Sequence, residues 1–143
     1  MISFILSAIK IIFLLGFLIF IHELGHFTVA KLCKVKVNEF AIGFGPAIWK
    51  KQGKQTKYAL RLIPLGGFVS MEGEEERSEE SGSFSKASIP KRIAIVAAGA
   101  IVNIIFAIIV YFLLVANSGT YITNEIVSTT EGYPAQQIGL QSG

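Results

Sequence analysis

Two long apolar stretches dominate the chain, separated and followed by segments of mixed polarity. Residues 2–21 carry no polar group except Ser3, Ser7 and Lys10. If the helix continues to about Leu32, it is long enough to cross a hydrocarbon core of roughly 30 Å. The second stretch, Ile93 to Ala116, reads "IAIVAAGAIVNIIFAIIVYFLLVA" and has no charge. Uncharged runs of this length predict transmembrane helices. The expected helices run from about Phe4 to Lys31 and from about Ile93 to Ala116. A signal peptide fits the first stretch poorly, because no basic region precedes it and no A-x-A-like site follows it.

Between the spans the pattern changes period. In "KVKVNEFAIGFGPAIWKKQGKQTKYALRLIPLGGFVSM", Val35 and Val37 alternate with lysines, and Tyr58, Leu60 and Leu62 alternate with Lys57, Ala59 and Arg61. "KQGKQ" separates two β-like runs as in a hairpin, while "GFGP" and "PLGG" mark sharp bends. Phe40, Ile42, Phe44, Trp49 and Phe68 are too apolar for a small free-standing sheet. They are expected to meet the lipid interface or the spanning helices. "EGEEERSEESGS", residues 72–83, reads as a flexible acidic linker. The expected segments are therefore 1–32, first span; 33–71, β region; 72–92, acidic loop and approach to the membrane; 93–116, second span; and 117–143, a polar tail with one strand-like patch.

Composition supports a membrane protein. The chain of 143 residues is 52% hydrophobic and 16% charged, against about a quarter charged in soluble domains. A net charge of +3 with no basic stripe gives no sign of a nucleic-acid partner. The charges are placed unevenly: 12 of the 13 Lys and Arg residues lie from Lys31 to Arg92. By the positive-inside rule, residues 33–92 are cytoplasmic and both ends lie outside. The single cysteine, Cys33, allows no internal disulfide and reads as a small residue near a helix end. All ten acidic residues are glutamates.

The chemistry lies near the end of the first span. His22-Glu23-Leu24-Gly25-His26 is H-E-x-x-H. At 3.6 residues per turn, His22 and His26 project from nearly the same side and can present ring nitrogens to one ion. Zinc suits imidazole ligands and tolerates an open position. Glu23 then sits beside the metal, placed to take a proton from the water the metal activates. The pattern is short enough to arise by chance. Three ionisable groups inside a membrane helix, however, are costly to insert and do not persist as decoration. In the second span Gly99 and Asn103 are four apart and share a face. Helix packing is the favoured reading: a small residue permitting close approach and an amide bonding across.

With these motifs in view, the chain resembles the site-2 protease family of intramembrane zinc metalloproteases, of the RseP type. "FIHELGHF", "FAIGFGPAIW", "LRLIPLGGFVSMEGE" and "AAGAIVNIIFA" carry the resemblance, the last similar to the family's G-P-x-x-N pattern but with Ala100 for proline. The tail "EIVSTTEGYPAQQIGLQSG" resembles the opening of a PDZ domain. The resemblance implies cleavage of a transmembrane protein substrate within or near a bacterial inner membrane. It assigns His22 and His26 as zinc ligands and Glu23 as the base, and has the loop sheet present the substrate as an extended strand. The family draws a third ligand from an aspartate in a later L-D-G motif on another span. This chain has no aspartate, so it is expected to be the N-terminal part of a longer enzyme. Two other readings compete. One is a membrane-anchored binding module without catalysis; the other is a structural zinc site completed by Glu39 or Glu125. The fold class expected is a mainly α membrane protein with two spans, an intervening small β-sheet or membrane-associated hairpin, and a truncated PDZ-like start.

Overall fold

A computed structural model of the chain describes residues 2–118, 126, 128–129 and 131–140. The chain divides into two compact units, Met1–Ile108 and Ile109–Gly143. The first contains helix α1 (Ile2–Leu32), strands β1 (Val37–Gln52) and β2 (Lys57–Met71), a 3₁₀ turn (Phe84–Lys86) and most of helix α2 (Ile89–Ser118). The second contains the end of α2 and a four-residue helix α3 (Pro134–Gln137). Both long helices are long and apolar enough to cross a membrane, with mean hydropathies of 2.8 and 2.9. The PDZ-like opening expected after residue 117 falls largely outside the described residues, as does Glu125.

Helix α1 buries only Gly25 and Ala30 within the protein. Residues 2–15 are mostly apolar and exposed, while the turns carrying His22, Glu23 and His26 face α2. Helix α1 ends in a Schellman motif. Lys34 adopts φ 62°, its N–H donates to the Lys31 carbonyl, and the Val35 N–H donates to the Ala30 carbonyl at 2.9 Å. These bonds satisfy carbonyls that the helix end would otherwise leave open. Ala30 and Val35 then meet in the core, which is the apolar contact that accompanies such caps. Helix α2 begins at Ile89 rather than Ile93. Pro90, Lys91 and Arg92 form its first turn, where proline lacks no bond it could have made.

The two strands pair antiparallel in one small sheet. Each is bent, so that β1 pairs more than once. Glu39 to Ile42 partner Ser70 to Gly67 on one edge and Lys57 to Leu60 on the other, while Trp49 to Gln52 partner Leu60 to Lys57. The bends fall in "GFGP" and "PLGG". Gly43 and Gly66 have φ of 88° and 96°, a region that side chains with a Cβ rarely adopt. The centre of this arrangement is buried: Phe40, Ala41 and Ala59 face inward.

The alternation read for β2 does not say which set is buried. Leu60 and Leu62 are exposed while Ala59, paired with Ala41, is buried. Phe44, Ile48 and Trp49 join the leucines on the outside, leaving the hairpin an apolar exterior. Arg61 ties it together. It donates to the Gly45 carbonyl at 2.9 Å and to Glu39 at 2.8 Å, and covers the Phe68 ring.

The core gathers where the sheet meets both helices, with Ala30, Val35, Val37, Phe40, Val69, Met71 and Ile95 at its centre and Cys33 packed against it. The acidic segment is tied to β1. The Lys36 N–H donates to the Gly82 carbonyl and the Phe84 N–H to the Glu72 carbonyl. The Asn38 amide donates to the Glu72 carboxylate at 2.9 Å, and Ser83 is buried.

Candidate metal centre

His22, Glu23 and His26 occupy the part of α1 that packs on α2. Gly25, on the same face, makes the approach possible. It lies against the backbone of Ala98 and Gly99, where a Cβ would stand 2.8 Å from the Ala98 carbonyl oxygen. Gly99 serves from the other side: a Cβ there would overlap both imidazole rings, standing 2.7 Å from the His22 ring. Two glycines, one per helix, thus bring the histidine rings onto the α2 backbone.

The rings are held at both ends. The Nε2 atoms of His22 and His26 are 3.1 Å apart. Nδ1 of His26 donates to the Ile95 carbonyl at 2.8 Å, and the Asn103 amide donates to Nδ1 of His22 at 3.3 Å. The structure therefore brings His22, His26, Gly99 and Asn103 together. Ala100, which replaces the family's proline, points outward.

Two clefts flank the group. One, of about 250 Å³, is lined by Glu23, His26, Gly67, Phe68, Val69 and Met71 among others. The second, of about 310 Å³, includes His22, Glu23, Gly66, Gly67 and Asn103. Glu23 borders both. β2 from Gly67 onward runs beside it, and a Cβ on Gly67 would stand 3.0 Å from the Glu23 Cγ.

The donor set fits zinc. Two imidazole nitrogens on one tetrahedral zinc, each at about 2.0–2.1 Å, stand about 3.3 Å apart. The observed Nε2 separation of 3.1 Å is close to that. A metal-ligating histidine normally donates its other ring N–H to a carbonyl or carboxylate, as His26 does to Ile95. Among the described residues, no set of three His, Cys, Asp or Glu side chains converges. Glu39, the candidate extra ligand of the structural-zinc reading, is engaged elsewhere. Burial works to raise its carboxyl, but the hydrogen bonds and charges of Lys57 and Arg61 together outweigh it and hold the group below the usual glutamate value.

Three contributors escape the motif reading. Ile95 acts through its carbonyl, which any residue could supply, so its side chain gives no signal. Gly25 and Gly67 act through the absence of a side chain. The position of Gly25, three residues after His22 on the same helical face, is the one signal that could have found it.

The chain belongs to Peptidase family M50, whose family model matches residues 10–139. This is the family that the motifs resemble. A protein of Clostridium acetobutylicum provisionally named a zinc metalloprotease is 42% identical over 128 residues, covering 90% of this chain and 38% of its own length. The Regulator of sigma-E protease RseP of Escherichia coli is 45% identical over 121 residues, covering 80% of this chain and 26% of its own length. The chain thus spans about two-fifths or less of these curated relatives.

Proposed function

We propose that this chain supplies the two-histidine, one-glutamate part of a zinc-dependent intramembrane protease acting on transmembrane regulatory proteins. The observation that carries the reading is the pair of Nε2 atoms 3.1 Å apart on a membrane-length helix of an M50 chain. His22 and His26 would hold the zinc. Bound there, zinc supplies an acidified water and a Lewis acid for the scissile carbonyl. Glu23 takes a proton from the attacking water and returns it to the leaving amine. The part of β2 from Gly67 to Met71 lines the same cleft as Glu23 and His26. An extended substrate segment laid against it would expose a peptide bond that a helix keeps hydrogen-bonded.

A catalytic zinc normally keeps three protein ligands, and the sequence has no aspartate to match the family's third. The 143 residues alone are therefore expected to bind zinc weakly and cleave nothing. In the whole protein, His22→Ala or His26→Ala should abolish zinc binding. Zinc content of purified samples tests this, and metal retained at the wild-type level in both variants would sink the reading.

Membrane placement follows from charge. The turn joining β1 to β2 contains Lys54, which is exposed, within the region holding nearly all the basic residues. We place this turn in the cytoplasm and both chain ends outside the inner membrane. A cysteine at Lys54 should resist an impermeant reagent in intact cells and react after permeabilisation. Labelling in intact cells reverses the orientation.

A further inference from the structure

Asn103 is engaged on one side only. Its Nδ2 meets Nδ1 of His22, while its Oδ1 is buried without a hydrogen-bond partner among the described residues. Buried polar atoms are nearly always paired, so this orphan acceptor calls for a reason.

The donors fix where each proton stands. An amide nitrogen only donates, so Nδ1 of His22 must accept and the ring proton of neutral His22 stands on Nε2. That N–H points to Nε2 of His26 at 3.1 Å, which must then accept. His26 carries its own proton on Nδ1, given to the Ile95 carbonyl. The chain of bonds is self-consistent, but it blocks the ligating nitrogen of His22 with a proton. To hold a cation through Nε2, His22 must carry its proton on Nδ1, and that N–H then needs an acceptor. A half-turn of the Asn103 amide presents Oδ1 to it.

We propose that Asn103 is a positioning residue whose amide reverses between the metal-free and metal-loaded states. It donates to His22 in the first and accepts from it in the second. The proton lost from Nε2 is matched by one gained from solvent at Nδ1, so the imidazole is neutral in both states. The inference rests on the zinc reading above and adds a reason for a group that can both donate and accept at this position. An amide offers a donor and an acceptor of similar shape on one pivot.

The test uses the whole protein with ¹⁵N-labelled histidine. In the metal-free wild type, NMR should show His22 protonated on Nε2; after zinc loading, on Nδ1. Asn103→Leu, which offers neither group, should weaken zinc binding about 10- to 100-fold, the usual cost of losing a partner behind a ligand. Asn103→Asp offers only acceptors. It should bind zinc close to the wild-type level and show His22 already protonated on Nδ1 without metal. A packing role alone predicts no such rescue and no change of tautomer. Equal zinc affinity in Asn103→Leu, or His22 still protonated on Nε2 in Asn103→Asp, overturns the proposal. Should the leucine variant fail to fold, the tautomer in metal-free Asn103→Asp decides alone. Zinc uptake unaffected by His22→Ala overturns the metal reading itself, and this proposal with it.

Discussion

Glu23→Gln is expected to leave zinc bound while lowering cleavage of a transmembrane model substrate by about 10²–10⁴-fold, the usual contribution of a positioned acid–base group. Glutamine has nearly the same volume, so the packing beside Gly67 and the position between the two clefts are kept. The histidines and their supports, Ile95 and Asn103, are untouched. What disappears is the ability to accept a proton from the attacking water, since a neutral amide is not a base at this pH. Zinc content and cleavage should be measured on the same purified samples of the whole protein. Full activity with zinc retained removes the general-base role. Loss of zinc would show instead that the carboxylate organises the ligands. The two outcomes separate the chemical role of Glu23 from a structural one.

How legible each feature was depended on whether a side chain or the backbone carried it. The spans were plain because uncharged runs of that length have few other uses. The H-E-x-x-H face follows from helical period alone, and so does the pairing of Gly99 with Asn103. "GFGP" and "PLGG" marked the bends because only glycine sits easily at φ near 90°. Which face of β2 is buried was not legible, for a physical reason. Period-2 alternation says which residues share a face, not which face is buried. In a hairpin whose exterior is itself apolar, hydrophobicity does not tell the faces apart, and it is Ala59 that lies inside, opposite Ala41. The Ile95 carbonyl was invisible for the opposite reason: every residue has one.

Gly25→Val should lower zinc affinity about 10- to 100-fold and cleavage by about 10²-fold or more, although no ligand and no catalytic group is changed. The expectation runs against local propensity. Replacing a mid-helix glycine by a residue with a side chain normally favours the helix, by up to about 1 kcal/mol for alanine. Here a Cβ would stand 2.8 Å from the Ala98 carbonyl oxygen and 3.2 Å from the Gly99 Cα. These are backbone atoms with no rotamer to change, so α2 must move away from α1. Overpacking of this kind costs roughly 1–3 kcal/mol, enough to reverse the gain from propensity. The movement also separates both histidines from their supports at once, because the Ile95 carbonyl and Asn103 ride on α2. A displacement near 1 Å at a reacting centre costs on the order of 10²-fold in rate. Gly25→Ala should show a smaller loss in the same direction. Leu24→Ala, one residue away on the exposed side of the helix, should leave zinc affinity unchanged. Chelator competition across the three variants reads the order directly. If Gly25→Val binds zinc as tightly as the wild type, the close crossing at Gly25 is not what holds the histidine pair, and α1 must set the ring positions by itself.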